Sequence, residues 1–212
     1  MASISAELRN QRWTRDSYLI STDASLIPVP QLNAAFASDA VYWAKAMPEA
    51  IMREMLQSSL CFGLYDTTCA NPQQELGGAA QVDDDDNNKN SNNNNDDDTA
   101  EPEEHQRPQH RLIGFARLIT DFVTFAYATD VWVDPALQGN GLGRWLLGCV
   151  QEMIEAMPCL RKSLLFTDSW EKSVPFYEKV MKMSVVGGQP GVSQAIMQMR
   201  GKWSPHFTGK SG

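Results

Sequence analysis

No stretch of this 212-residue chain approaches 18 consecutive apolar residues, so nothing in it reads as a membrane-spanning helix. The first residues carry Glu7, Arg9 and Arg12 in place of the apolar centre of a secretory leader, which leaves a soluble protein of the cytoplasm or nucleus as the expectation. Histidine is scarce: His105, His110 and His206 all fall outside the segments that read as folded, so a histidine base is not expected. The four cysteines (Cys61, Cys69, Cys149, Cys159) form no Cys-x-x-Cys pair and three sit within apolar segments, so buried thiols are expected, with neither disulfide nor metal. Basic residues are outnumbered, 18 against 26 acidic, and no basic stripe with interleaved aromatics marks a nucleic-acid surface.

The net charge of −8 is concentrated in one place. Residues 70–110 hold eleven acidic side chains against Lys89 and Arg107, which puts −9 in this segment and +1 in the remainder. The same segment is rich in Asn, Asp, Gln, Glu and Pro and cannot bury enough apolar surface to offset its ordering entropy; it reads as a long disordered insert. Its aspartate run lacks the alternating ligands and the glycine of an EF-hand. Strand-like runs flank it at 60–65 and 111–120, and closure entropy grows slowly with loop length. The insert is therefore expected to interrupt a single domain spanning 1–212, whose 42% hydrophobic content suffices for one core.

The other segments alternate as in an α/β protein. A first strand is expected at 18–21, then helices at 29–38 and 48–58, with Pro48 in a favoured first-turn position. Strands follow at 60–65, 111–120 and 123–133, the last two joined by a tight turn near Asp121 and Phe122. Leu142, Trp145, Leu146, Cys149, Val150, Met153 and Ile154 form the i, i+3, i+4 stripe of a helix over 141–156. A strand at 163–167, a helix at 174–181 and a strand pair at 184–186 and 195–199 complete the pattern.

Asp130-Val-Trp-Val-Asp-Pro-Ala-Leu-Gln-Gly-Asn-Gly-Leu-Gly-Arg144 carries the chemistry, as an apolar strand running into a glycine-rich turn that opens a helix. At such a junction unpaired N–H groups and the positive end of the helix dipole face one spot, which suits a phosphate. An ATPase-type loop would require Lys-Ser/Thr after its last glycine, and Arg144 and Trp145 stand there instead. A dinucleotide fingerprint would place its third glycine one position beyond Gly143. What remains is Gln-x-x-Gly-x-Gly at Gln138, Gly141 and Gly143.

At these residues the chain resembles the GNAT superfamily of acyl-CoA-dependent N-acetyltransferases, over roughly residues 16–70 and 111–200. Ser173-Val-Pro-Phe-Tyr-Glu-Lys-Val-Met-Lys-Met183 matches the family's later helix, whose tyrosine lies beside the cofactor sulfur. Ala40-Val-Tyr-Trp-Ala-Lys45, Ser59-Leu-Cys-Phe-Gly-Leu-Tyr65 and Ile119-Thr-Asp-Phe-Val-Thr-Phe-Ala-Tyr127 are similar to a bacterial and fungal subgroup. The resemblance implies the GNAT fold, a mixed central sheet with helices on both faces, and acetyl-CoA as cosubstrate.

It also implies roles. Backbone groups of Val131, Trp132 and Val133 would pair with the pantetheine arm if the strand splays from its neighbour, and the amides of Gly139, Asn140, Gly141, Leu142, Gly143 and Arg144 would cradle the pyrophosphate. Gln138 would hold the loop, Arg144 would add charge, and Tyr177 would protonate the leaving thiolate. Where the family often has Asn the chain has Trp170, with Ser169 or Ser173 as substitutes toward the pantetheine; where some members carry a glutamate base it has Tyr127. Asp130, in the middle of an apolar strand, requires a partner or a job, and a water-mediated base is one reading. Tyr42, Trp43, Tyr65 and Tyr127, with Trp132, form an aromatic set for an apolar or cationic amine, or build the core. Lys45 and Asp121 are candidates to orient a charged acceptor. The expectation is direct transfer to a small-molecule primary amine by a monomer or homodimer. A protein or peptide N-acetyltransferase and a non-catalytic acyl-CoA-binding sensor are the alternatives.

Overall fold

The structure is a computed structural model that describes residues 3–68 and 110–207; the insert, apart from His110, and Cys69 lie outside the described residues. Two elements precede the first expected strand. Helix α1 (Ile4–Leu8) is capped by Ser3, whose Oγ accepts from the Ala6 N–H at 3.2 Å. Strand β1 (Arg12–Arg15) pairs with β2 (Tyr18–Ser21) through a turn in which Asp16 takes a φ of 51°. β1 escaped sequence reading because Arg-Trp-Thr-Arg is only four residues long and buries little.

Helices α2 (Val29–Phe36) and α3 (Glu49–Ser58) follow, Pro48 standing as the extended N-cap of α3 rather than within it. The sheet continues with β3 (Leu60–Asp66), β4 (Arg111–Thr120) and β5 (Phe125–Val133). Helix α4 (Leu142–Ala156) leads to β6 (Lys162–Thr167), and α5 (Ser173–Met181) to β7 (Ser184–Gly187) and β8 (Ala195–Arg200). Together these form one eight-stranded sheet in the order β1-β2-β3-β4-β5-β6-β8-β7. Every neighbouring pair is antiparallel except β5 and β6, which α4 joins in parallel.

Strand alternation sends Leu60, Phe62 and Leu64 toward α4 and α5, where they meet Leu146, Val150 and Ile154 in the larger core. Cys61, Tyr65 and Phe115 point to the opposite face and are covered by Leu32 and Phe36 of α2 and Met52 and Leu56 of α3. Helices thus cover both faces. Gly63 matters here because a Cβ on it would lie 2.1 Å from the Tyr65 hydroxyl: the ring folds back over the glycine. The β4–β5 turn is built on Asp121, whose Oδ1 accepts the N–H groups of Val123, Thr124 and Phe125 at 2.8–3.0 Å, while Oδ2 accepts the Thr124 hydroxyl at 2.6 Å. Asp121 is therefore committed to this turn rather than to an acceptor.

Candidate active site

The β5–β6 pairing is short. Phe125, Ala126 and Tyr127 face Lys162, Ser163 and Leu164, and beyond Tyr127 the edge of β5 toward β6 has no strand partner. The cause is local. Asp130 adopts a φ of 53°, and two residues of β5 oppose Ala116 between the Phe115–Trp132 and Arg117–Thr129 pairs. Such a bulge bends its strand and re-aims the side chains. Before it, Ala126 and Ala128 face α4; after it, Val131 and Val133 do, while Trp132 packs under α2 and α3. The main chain of Val131, Trp132 and Val133 thus lies on an edge without a strand partner toward β6 among the described residues.

That edge runs directly into the glycine turn. Asp134 pins its start, with its N–H donating to Ile113 O at 2.8 Å, Oδ1 accepting from Ala136 N–H and Oδ2 bound to Arg111 at 2.6 Å. Gln138 Nε2 donates to Val133 O at 3.0 Å and Asn140 Nδ2 to Leu137 O at 3.3 Å, so both side chains stabilise the loop. Gly139 and Gly141 have φ of 88° and 77°, conformations that cost little only for glycine. The N–H groups from Gly139 to Arg144 have no acceptor among the described residues; the first bonded amide is Trp145, to Gly141 O at 3.0 Å. Six donors therefore converge at the positive end of α4. Gly143 is different. Its φ is ordinary, and a Cβ there would stand 3.8 Å from Val133 Cγ2 and 4.0 Å from Phe176 Cζ, so its small size serves helix packing rather than the turn. The Leu142 side chain is buried in the core and only its amide faces the turn; Arg144 is exposed without an ion-pair partner among the described residues.

Comparison with known proteins agrees with this geometry. The family model described as "Acetyltransferase (GNAT) family" matches residues 80–183. A Gibberella zeae protein named "Putative acetyltransferase FG08082" is 38% identical over 157 residues, covering 74% of this chain and 75% of that one. The chain belongs to the GNAT family of acetyltransferases. A Trypanosoma brucei brucei glucosamine 6-phosphate N-acetyltransferase is 38% identical over 82 residues, 36% of this chain and 53% of that one. Among solved structures, a Streptococcus pneumoniae GNAT acetyltransferase shares the fold at a TM-score of 0.55 and 12% identity, covering 87% of this chain and 99% of that one. The Salmonella typhimurium protein yncA, solved with its cofactor acetyl-CoA, does so at 0.54 and 14%, covering 93% and 100%.

In this GNAT chain Tyr177 lies on α5, its ring tilted against Phe176 at 5.7 Å and packed on the larger core. Burial, reinforced by nearby Tyr42, pushes its phenol up to about 12, so it stays protonated at neutral pH. Its hydroxyl has no hydrogen-bond partner among the described residues. Ser173 begins α5 with its N–H donated to Ser169 O at 3.0 Å and its hydroxyl without a partner among the described residues. Trp170 donates Nε1–H to Ser193 O at 2.8 Å, so the residue in place of the family's asparagine ties the segment after β6 to the β7–β8 loop.

The expected base and acceptor residues divide. Asp130 has a partner: Arg117 Nε donates to its Oδ2 at 2.7 Å, the two side chains being 15% and 10% exposed, and Arg117 also reaches Ser59 Oγ at 3.1 Å. The ion pair accounts for the carboxylate in an apolar strand, the alternative to a water-mediated base. Tyr65 is withdrawn as an acceptor residue because it is buried in the smaller core; burial raises its phenol well above the tyrosine range, and its hydroxyl is unpaired. Tyr127 lies on the sheet face beside Phe166, ring centroids 5.4 Å apart. Tyr42 and Trp43 are 67% and 43% exposed and meet edge-on at 5.0 Å. Tyr42 Oη donates to Asp168 Oδ2 at 3.1 Å, joining the loop between α2 and α3 to the residue just beyond β6. Sequence reading passed over Asp168, for an aspartate after a strand looks like an ordinary turn residue. Among the described residues no cluster of His, Cys, Asp and Glu could hold a metal, and no helix is long and apolar enough to cross a membrane.

Proposed function

We propose that this GNAT acetyltransferase transfers the acetyl group of acetyl-CoA to a primary amine of a small molecule, by direct attack in a ternary complex. The observation that carries the reading is the continuity of the open β5 edge with six unpaired amides at the head of α4. An extended pantetheine arm would add to the edge as a strand does, and the diphosphate would take the amides. One β5 N–H would then stabilise the oxyanion as the amine attacks the thioester carbon. As the C–S bond breaks, Tyr177, kept protonated by burial, would deliver its proton to the departing thiolate, and the nitrogen, which attacks as the neutral amine, would release its surplus proton through water to return Tyr177 to the phenol.

The test is a screen of amines read by release of CoA thiol, with calorimetric binding of acetyl-CoA measured alongside. Tyr177→Phe is expected to bind acetyl-CoA with wild-type affinity and to lose about 10²- to 10⁴-fold in kcat; undiminished turnover removes Tyr177 from the mechanism. Acetylation of peptide mixtures but no small amine would move the reading to a protein N-acetyltransferase. Binding with only slow hydrolysis would move it to an acyl-CoA sensor.

A further inference from the structure

We infer that Asp168 is the acceptor-binding carboxylate, and that the acceptor is an amine carried as an ammonium ion on an apolar or aromatic body. This rests on the transferase reading above and names its substrate class. Four observations converge on the position. Asp168 directly follows Thr167, the last residue of β6, on the side of the split where the β5–β6 pairing has ended. It stands two residues beyond Phe166, which is 46% exposed and in contact with Tyr127. Its carboxylate is exposed, has Tyr42 as its one partner, and makes no ion pair with a Lys or Arg among the described residues. It also lines a groove of about 340 Å³ with Ser169, Trp170, Glu171, Lys172 and Pro190, and Tyr42, which reaches it, carries Trp43 edge-on against its own ring.

A carboxylate held at one oxygen by a phenol keeps lone pairs for a second donor, and an ammonium supplies both the donor and the opposite charge; the bound nitrogen releases one proton to water before it attacks the thioester as the neutral amine. The aromatic pairs favour a cation with an apolar body, through ring faces and apolar area. An acceptor bearing a phosphate, such as the substrate named for the Trypanosoma relative, would bring like charge against Asp168.

Phenylethylamine, protonated at neutral pH, and aniline, neutral there, separate charge recognition from shape. Asp168→Asn is expected to raise KM for phenylethylamine about 10-fold or more, to change kcat/KM for aniline by less than about threefold, and to leave acetyl-CoA affinity unchanged. Tyr42→Phe, which frees the carboxylate without removing it, is expected to raise that KM only about two- to threefold. Equal losses for both amines in Asp168→Asn would make the residue a prop for its loop and overturn the inference, as would no loss for either. Calorimetry of phenylethylamine binding, with and without CoA, separates the two levels. Acetyl-CoA binding with no amine binding overturns the present inference alone, whereas amine binding that depends on Asp168 without acetyl-CoA binding overturns the transferase reading alone.

Discussion

The three glycines of the turn differ in what replacement would do, and that difference can be measured. At Gly141, the N-cap of α4 with φ of 77°, an alanine Cβ would meet nothing within 4 Å, so the cost is conformational and not steric. A left-handed conformation costs an L-residue about 1–2 kcal/mol. For a domain of this size that is a fall in Tm of about 3–6 °C. The Cβ would also project from the surface where the six amides converge, so acetyl-CoA affinity is expected to drop about 10-fold or more; Gly139→Ala, at φ 88°, should behave alike. At Gly143 the φ is ordinary and the added methyl makes normal contacts with Val133 and Phe176. Gly143→Ala is expected to hold or raise stability by a few tenths of a kcal/mol through helix propensity and to change affinity less than about threefold. Thermal unfolding and calorimetric titration with acetyl-CoA read both quantities. If Gly143→Ala weakens binding as much as Gly141→Ala, or if Gly141→Ala leaves Tm and affinity untouched, the amide-cradle argument is wrong.

Further outcomes are expected elsewhere. Asp130→Ala strands the Arg117 guanidinium in a mostly buried site and should cost about 2–4 kcal/mol in urea unfolding, while leaving the pH–rate profile of the remaining activity unshifted; a lost basic limb would restore Asp130 as a base. Tyr65→Phe removes a buried, unpaired hydroxyl and should be neutral or stabilising by up to about 1 kcal/mol without affecting acceptor KM, whereas Gly63→Ala, which drives a methyl into the Tyr65 ring, should destabilise by about 1–3 kcal/mol. Burial opposes ionisation of Asp121, but the Thr124 hydroxyl and the amides of Thr124, Val123 and Phe125 outweigh it and hold its carboxyl well below the usual range. Its contribution is therefore fully present above the ordinary aspartate pKa and lost as pH falls through the depressed one. Asp121→Asn should flatten the acid limb of stability against pH, and an unchanged limb would contradict this.

Most elements were legible because each rests on local pattern: the α4 stripe, the alternation of β3 and β4, and turn chemistry at Asp121. The conformation of the glycine turn was legible for the same reason, since Gln138, Gly139 and Gly141 act within a few residues of one another through φ angles and short hydrogen bonds. The short strand β1 was not, because only its pairing with β2 makes it a strand.

The amino-acid order by itself thus determined the helices, most strands, and a glycine turn at the head of α4, all written in spacings of two, three or four residues. Only the tertiary structure decided where β5 leaves β6, that Asp130 answers Arg117, that Tyr65 is spent on the core above Gly63, and that Tyr42 reaches Asp168 across 126 residues. Those outcomes depend on which faces the sheet covers and which chain segments meet. No local periodicity records them, because their free energy arises from contacts between segments far apart in sequence.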